Sequence, residues 1–351
     1  MTTTQQRVML VRRPADGHVT KDLFRVEKAP IAAPAPGEVL LRIEYFSADP
    51  YLIRQLNGLG NYVPKLSPGA PMFSRTLGTV VRSKDPAWKS GDKALAVADW
   101  GEYCVVDARK LVRLDPGIAP LPSFLSVMGH SGLTAWGGLL DIGRPKAGET
   151  VLVTSAGGPV GQASGQMAKI KGCRVVGVAG GQAKCRTLVE ELGFDACVDY
   201  RSADFEKQLA AAVPNGIDLH CESIGAPMLD PALLCMNRHA RIVLFGIIAN
   251  YDNTPFVLKN ANRLLDCSVT LRAFSVSEYL SRWSEFQAEM GGWVRAGKVK
   301  SRDTIHEGLD RAAEAMVALT TGEGIGKQII RVEAAGTAMK QAGADLPCQE
   351  Q

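Results

Sequence analysis

The sequence predicts an α/β protein in which a doubly wound parallel sheet is joined to a smaller, partly open β-barrel. Three observations carry this. Residues 7–106 hold six short runs of strand-forming residues separated by Pro, Gly and Asp turns. From about residue 121, strand-length runs alternate with helix-length runs, the pattern of parallel strands joined by crossover helices. Within that part, the stretch from Thr150 to Gly161 reads as a buried strand, a glycine turn and the start of a helix.

Taken in order, strands are expected over 7–11, 23–28, 38–46, 77–83, 93–98 and 102–106. In the second part they fall at 150–154, 174–178, 196–199, 217–221, 241–245 and 269–273. Helices are expected at 160–171, 182–192, 203–212 and 227–234. A longer helix over 277–296 carries Leu280, Trp283, Gln287, Met290 and Val294 at helical spacing, so Trp283 and Trp293 read as packing residues. A last helix over 309–320 stops at Gly322, and a strand over 328–332 follows. This tail is expected to return to the first unit. The division is therefore residues 1–121 with 301–334 for the barrel and 122–300 for the parallel sheet, with a disordered tail over 335–351.

Bulk properties narrow the function. The chain has 351 residues, more than one hydrophobic core usually serves. Hydrophobic residues make up 46%, charged residues 22%, and the net charge is +4 without a basic run, which argues against a nucleic-acid surface. The longest apolar run, 242–249, is too short to cross a bilayer, and the first residues lack a signal pattern. The eight cysteines are scattered, with no Cys-x-x-Cys spacing. That usage points to a reducing cytoplasm, with neither a disulfide framework nor a structural zinc lobe.

The glycine turn carries the first chemical signal. Ala156, Gly158 and Gly161 form Ala-x-Gly-x-x-Gly, with Pro159 and Val160 opening the helix. Small residues let the backbone approach a pyrophosphate, and the helix start offers N–H groups and positive dipole to it. The next strand ends at Ala179, Gly180 and Gly181, with no carboxylate before Glu190. An NAD-preferring site usually places Asp or Glu there. Lys184 behind a small open turn suits the 2′-phosphate of NADP instead, the alternative being a solvated helix lysine. Tyr200, after the following strand, closes the same end or stands as an exposed turn residue.

Several further segments carry a resemblance. They are Phe46-Ser-Ala-Asp-Pro-Tyr51, Trp100-Gly-Glu-Tyr103, Gly132-Leu-Thr-Ala-Trp136, Leu140-Asp-Ile-Gly143, Pro145-Lys-Ala-Gly-Glu-Thr150, Ala168-Lys-Ile-Lys-Gly-Cys173, Glu191-Leu-Gly-Phe-Asp195 and Gly326-Lys327. Together, over residues 36–332, they resemble the zinc-independent medium-chain dehydrogenase/reductases of the prostaglandin reductase and alkenal double-bond reductase branch. The resemblance implies a GroES-like barrel, a Rossmann domain, a homodimer, and NADPH as hydride donor to a carbon–carbon double bond conjugated to a carbonyl. It implies cofactor contacts at Gly158–Gly161, Lys184, Tyr200, Ser223, Phe245, Gly246, Ile247, Tyr251, Phe274, Ser275, Val276 and Gly324.

The residues themselves lack the zinc ligands of this superfamily. Where a cysteine is needed after the 38–46 strand the chain has Ser47-Ala-Asp-Pro50, and where a histidine is needed it has Thr76-Leu-Gly-Thr79. Without a Lewis acid an alkoxide is poorly stabilised, whereas hydride addition to a conjugated acceptor gives a delocalised enolate. Tyr251, at the carboxyl edge of the sheet, is the candidate for a hydrogen bond to that enolate. The resemblance implies a tyrosine there that contacts the nicotinamide ribose and assists enolate protonation, the alternative being that Tyr251 only lines the cofactor pocket. Tyr51 is a second candidate for substrate contact, from the barrel side.

Four departures from the family pattern stand out. Leu52-Ile53 replaces Met-Arg, Ser223 and Gly324 each replace an asparagine, and His130-Ser131 replaces Met-Pro. They leave open a quinone reductase, an enoyl reductase of one elaborate intermediate, and an NADPH-binding sensor.

Overall fold

A strand too apolar to lie on a surface anchors the barrel. In the computed structural model, which describes residues 4–59, 66–252 and 254–332, β1 (Thr4–Leu10) and β2 (Phe24–Pro30) pair antiparallel. β3 (Glu38–Ala48) buries Val39, Leu40 and Leu41 in succession, so both of its faces are covered there, while β4 (Phe73–Ser83) pairs with one edge and β6 (Tyr103–Asp107) with the other. β5 (Lys93–Asp99) and β7 (Val112–Arg113) extend the sheet beyond β4. Under it, Phe46 stacks on Trp100 with ring centroids 4.7 Å apart, and the indole N–H donates to Ser74 Oγ at 2.7 Å. A helix not among those expected from the sequence, α1 (Pro50–Leu56), follows β3 directly, with Pro50 at its first position.

The second unit enters through α2 (His130–Trp136), which continues as a π-helical turn over Gly137–Gly143. The alternating part is β8 (Thr150–Val153), α3 (Pro159–Ile170), β9 (Arg174–Ala179), α4 (Gln182–Arg186), β10 (Ala196–Asp199), α5 (Phe205–Ala212), β11 (Ile217–Glu222), α6 (Ala226–Leu233), β12 (Met236–Leu244), α7 (Asn262–Asp266) and β13 (Thr270–Ala273). The six strands are parallel, in the order β10-β9-β8-β11-β12-β13. That is the Rossmann order, and its direction reverses between β8 and β11, where ligands of such sheets collect.

The chain then crosses back. α8 (Trp283–Arg295) packs on α2, and its expected first turns are instead a 3₁₀ segment over Val276–Arg282. Trp283 and Trp293 are partly buried against the hydrophobic core. β14 (Thr304–Glu307), α9 (Ala312–Thr321) and β15 (Gln328–Arg331) follow, and β15 pairs antiparallel with β3, setting Ile330 opposite Phe46. α9 ends at Gly322, whose φ of +66° is a left-handed stop suited to glycine. The tail over 335–351 lies outside the described residues.

One sequence expectation needs correcting. Cys185 and Cys197 are joined in a disulfide, with Cα atoms 5.1 Å apart. Residues twelve apart in sequence meet because α4 packs back onto β10, a juxtaposition that spacing alone does not reveal. Cys104, Cys173, Cys221, Cys235 and Cys267 are free.

Candidate active site

The glycine turn sits where the Rossmann order places it, between β8 and α3. Gly158 caps α3 and Pro159 takes its first position; the first helical bond across the turn runs from Gln162 N to Gly158 O at 2.9 Å. The N–H groups of Val160 and Gly161 therefore precede the intrahelical ladder and face the mouth of the turn. A Cβ at Gly161 would lie 2.4 Å from the Ser155 carbonyl, so this contact admits only glycine. Ala156 is fully buried beneath it.

The tail reaches over this turn. Gly326 N donates to the Gly157 carbonyl at 2.6 Å, and Gln162 Nε2 binds both Gly157 O and Arg302 O at 2.9 Å. Lys184 Nζ donates to the carbonyl of Gly322. Burial, with Arg201 nearby, pulls the Lys184 ammonium below its ordinary pKa. Tyr200 stands over Gly180, where a Cβ would meet the ring at 2.9 Å, and its hydroxyl is 3.4 Å from the Cβ position of Gly322. Asp199 holds this turn by accepting from Gly181 N at 2.8 Å and Arg201 N at 3.0 Å. Gly180, Lys184, Tyr200 and the tail loop thus meet at one end of the trough. Gly324, in the same loop at φ +68°, is closed in by Thr304 and Gln328.

Ser223, Phe245, Gly246 and Ile247 lie at the other end, past the carboxyl edges of β11 and β12. Ser223 N donates to Thr154 Oγ1 at 3.0 Å. Phe245 and Phe274 pair edge-to-face at 5.6 Å, and a Cβ at Gly138 would stand 2.2 Å from the Phe245 ring. Ser275 caps the next turn: its side chain accepts from Ser277 N, and Glu278 accepts from Ser275 N at 2.8 Å. Val276 opens that turn and packs on the core.

The barrel supplies the facing wall through α1. Tyr51 is in its first turn, with the Arg75 guanidinium 6.0 Å from the ring centroid. Arg54, one turn on, stands 5.4 Å from the Tyr251 ring, and Asn57 Nδ2 donates to the Tyr251 carbonyl at 3.0 Å. The Tyr251 hydroxyl is 3.3 Å from the Cβ position of Gly246. One short helix therefore carries Tyr51 and touches Tyr251, and Arg54 keeps a cation beside Tyr251 although Ile53 is apolar.

Behind α1 lies a cluster of charge. Lys327 Nζ pairs with Asp49 Oδ1, both nearly fully buried, and Ser47 Oγ donates to Asp49 Oδ2 at 2.6 Å. Burial pushes the Asp49 carboxyl up, but Lys327 and Arg75 outweigh it and hold the group ionised below its ordinary range. His130, at the start of α2, leaves Nδ1 buried without a hydrogen-bond partner among the described residues, and its ring lies tilted against Trp283 with centroids 5.2 Å apart. Burial and Arg75 drive its pKa down to about 3, so the imidazole is neutral. Zinc does not fit here. Ser47 and Thr76 offer no thiolate or imidazole, an ammonium already takes Asp49, and no cluster of three His, Cys, Asp or Glu side chains suits a metal among the described residues.

Comparison with known proteins gives this geometry its family. Residues 6–114 match a family described as the N-terminal domain of oxidoreductase, and residues 159–292 one described as zinc-binding dehydrogenase. The NADPH-dependent curcumin reductase of Escherichia coli is 40% identical over 339 residues, covering 93% of this chain and 96% of that protein. The 2-alkenal reductase (NADP(+)-dependent) of Nicotiana tabacum is 33% identical, covering 84% of this chain and 87% of its own. The chain belongs to the alkenal reductase branch of the medium-chain dehydrogenase/reductases. A crystal structure of CurA in complex with NADPH from Vibrio vulnificus superposes with a TM-score of 0.86 at 35% identity, covering 94% of this chain and 99% of that one. In this member of the branch, Asn57, Arg75, Asp49, Lys327 and the Gly137-Gly138 pair also shape the site, with no role assigned to them from sequence. The Asp-Pro-Tyr and Gly-Lys motifs were the available signal.

Proposed function

We propose that this protein reduces the carbon–carbon double bond of α,β-unsaturated ketones and aldehydes, using NADPH. The observation that carries the reading is the pairing of a glycine-turn trough with two tyrosines, beside a buried Lys327–Asp49 pair and with Ser47 and Thr76 offering no thiolate or imidazole. Bound NADPH supplies a hydride to the β-carbon of the acceptor. The chain's part is to hold and polarise. Val160 and Gly161 N–H groups take the pyrophosphate, and Lys184 with Tyr200 takes the 2′-phosphate. Ser223, Phe245, Gly246, Ile247, Phe274, Val276 and Gly324 bound the trough; Ser275 shapes it by capping. Tyr251 donates to the developing enolate and returns a proton to the α-carbon, and Tyr51 confines the acceptor from α1.

The protein acts as a cytoplasmic homodimer in this reading. β13, the terminal strand of the parallel sheet, is exposed along its length, which supports self-pairing at that edge. No helix among the described residues is long and apolar enough to cross a membrane. Turnover of a simple enone and of a quinone, measured in parallel with NADPH, tests the assignment: the enone is expected to be consumed faster. Tyr251→Phe should lower enone turnover by at least about tenfold while sparing NADPH affinity. Unchanged turnover would remove Tyr251 from the chemistry.

A further inference from the structure

The Cys185–Cys197 pair lies inside the machinery of the 2′-phosphate end. Cys185 follows Lys184 on α4, and Cys197 precedes Asp199 and Tyr200 by two and three residues at the end of β10. Lys184, Asp199 and Tyr200 are thus each within three residues of the cross-link. Their Cα separation of 5.1 Å lies within the range a disulfide spans without backbone movement. Cys185 is buried, whereas Cys197 is half-buried on the outermost strand of the sheet, so an incoming reagent meets Cys197 first. The other described cysteines stand apart. Cys173 and Cys221 are buried, and burial raises both thiols well above the ordinary range, which leaves them poor nucleophiles.

We propose that Cys185 and Cys197 form a reversible thiol–disulfide site whose oxidation state sets affinity for the NADP 2′-phosphate through Lys184. The proposal rests on Lys184 being the phosphate ligand, as argued above. Its oxidant is a low-molecular-weight disulfide of the glutathione class. The Cys197 thiolate attacks one sulfur of that disulfide and expels a thiolate, which takes up a proton. The Cys185 thiolate then attacks Cys197 Sγ and expels the second thiol. One dithiol and one disulfide become one protein disulfide and two small thiols, and two electrons leave the protein. The bond ties α4 covalently to β10, and reduction removes that tie. Lys184 then loses the fixed position from which it spans to Gly322. Such loss of preorganisation in one long side chain is expected to weaken NADPH binding by about 2- to 12-fold, and NADH, which lacks the phosphate, by much less.

The experiment uses the full-length protein, treated with glutathione disulfide or with a phosphine reductant and then desalted. Denaturing alkylation with intact-mass analysis counts thiols, and fluorescence titration gives Kd for NADPH and NADH. The expected result is two fewer alkylated cysteines after oxidation, a cross-linked peptide pair holding Cys185 and Cys197, and tighter NADPH binding by the oxidised form alone. Cys197→Ser, and Cys185→Ser as a second variant, should show the reduced-form Kd in both treatments. Full alkylation of every cysteine after oxidation would overturn the proposal, as would a disulfide that forms without changing the NADPH Kd. Lys184→Ala measured in the oxidised protein separates the two layers: no effect on NADPH Kd there faults the phosphate assignment, while the thiol count still judges the disulfide.

Discussion

Replacing Lys184 by alanine isolates the cofactor's 2′-phosphate from the rest of the dinucleotide. The ammonium is half-buried at the closed end of the trough, where the tail loop and Tyr200 limit solvent screening. A hydrogen bond to a charged group contributes about 1.5–3 kcal/mol net, which is roughly 10- to 150-fold in affinity. Two features of the structure place this case in the lower part of that range. Without ligand, Lys184 already donates to the Gly322 carbonyl, so binding exchanges one acceptor for another. Arg201, 5.9 Å from the Tyr200 ring, retains part of the positive field after the substitution. Lys184→Ala is therefore expected to raise the NADPH Kd by about 10- to 30-fold and the NADH Kd by less than about threefold. Fluorescence titration of both cofactors against both proteins measures it. Equal weakening of NADPH and NADH, or none of NADPH, would refute the assignment of Lys184.

Two other perturbations test the junction between barrel and sheet. Asp49→Ala leaves the Lys327 ammonium buried and unpaired, and should cost about 3–5 kcal/mol in chemical denaturation, whereas Asp49→Ala with Lys327→Met should recover much of that loss. A single-variant cost under about 1 kcal/mol would mean that the pair is solvated. His130 gives a pH signature. Its folded pKa, about 3, lies below the unfolded value near 6.5, so the unfolded chain binds a proton that the folded chain refuses. Stability contributed this way is present above the unfolded value and is lost as pH falls toward about 3. Relative to His130→Met, the parent protein should lose about 3 kcal/mol between pH 7 and pH 4, read from denaturant midpoints. Parallel pH profiles for the two proteins would show that His130 is solvated and protonates freely.

How far the sequence carries the fold depends on how local each signal is. The parallel sheet is legible because its strands are short, apolar and set off by turns: the run over Ala196–Asp199 coincides with β10 residue for residue. β12 starts earlier than its apolar run because Asn237, Arg238 and His239 carry no strand signal, and only pairing with β11 extends it. β14 exposes alternate residues and exists through its pairing with β15. α1 is hidden because an Asp-Pro pair opens turns as readily as helices. The site divides along the same line. The glycine turn and the open end of β9 are contiguous motifs. The meeting of Lys184 with Gly322 and of Asp49 with Lys327, 278 residues away, depends on how the chain returns from one unit to the other, and that of Cys185 with Cys197 on how α4 packs back onto β10.

The central claim is that hydride reaches the β-carbon of a conjugated acceptor, and isotope placement tests it most directly. A small enone is to be reduced with NADPH deuterated at the nicotinamide C4, and the product examined by deuterium NMR. The account predicts one deuterium at the β-carbon, an intact carbonyl and a solvent-derived hydrogen at the α-carbon. Deuterium on the carbonyl carbon, with an alcohol as product, would contradict it.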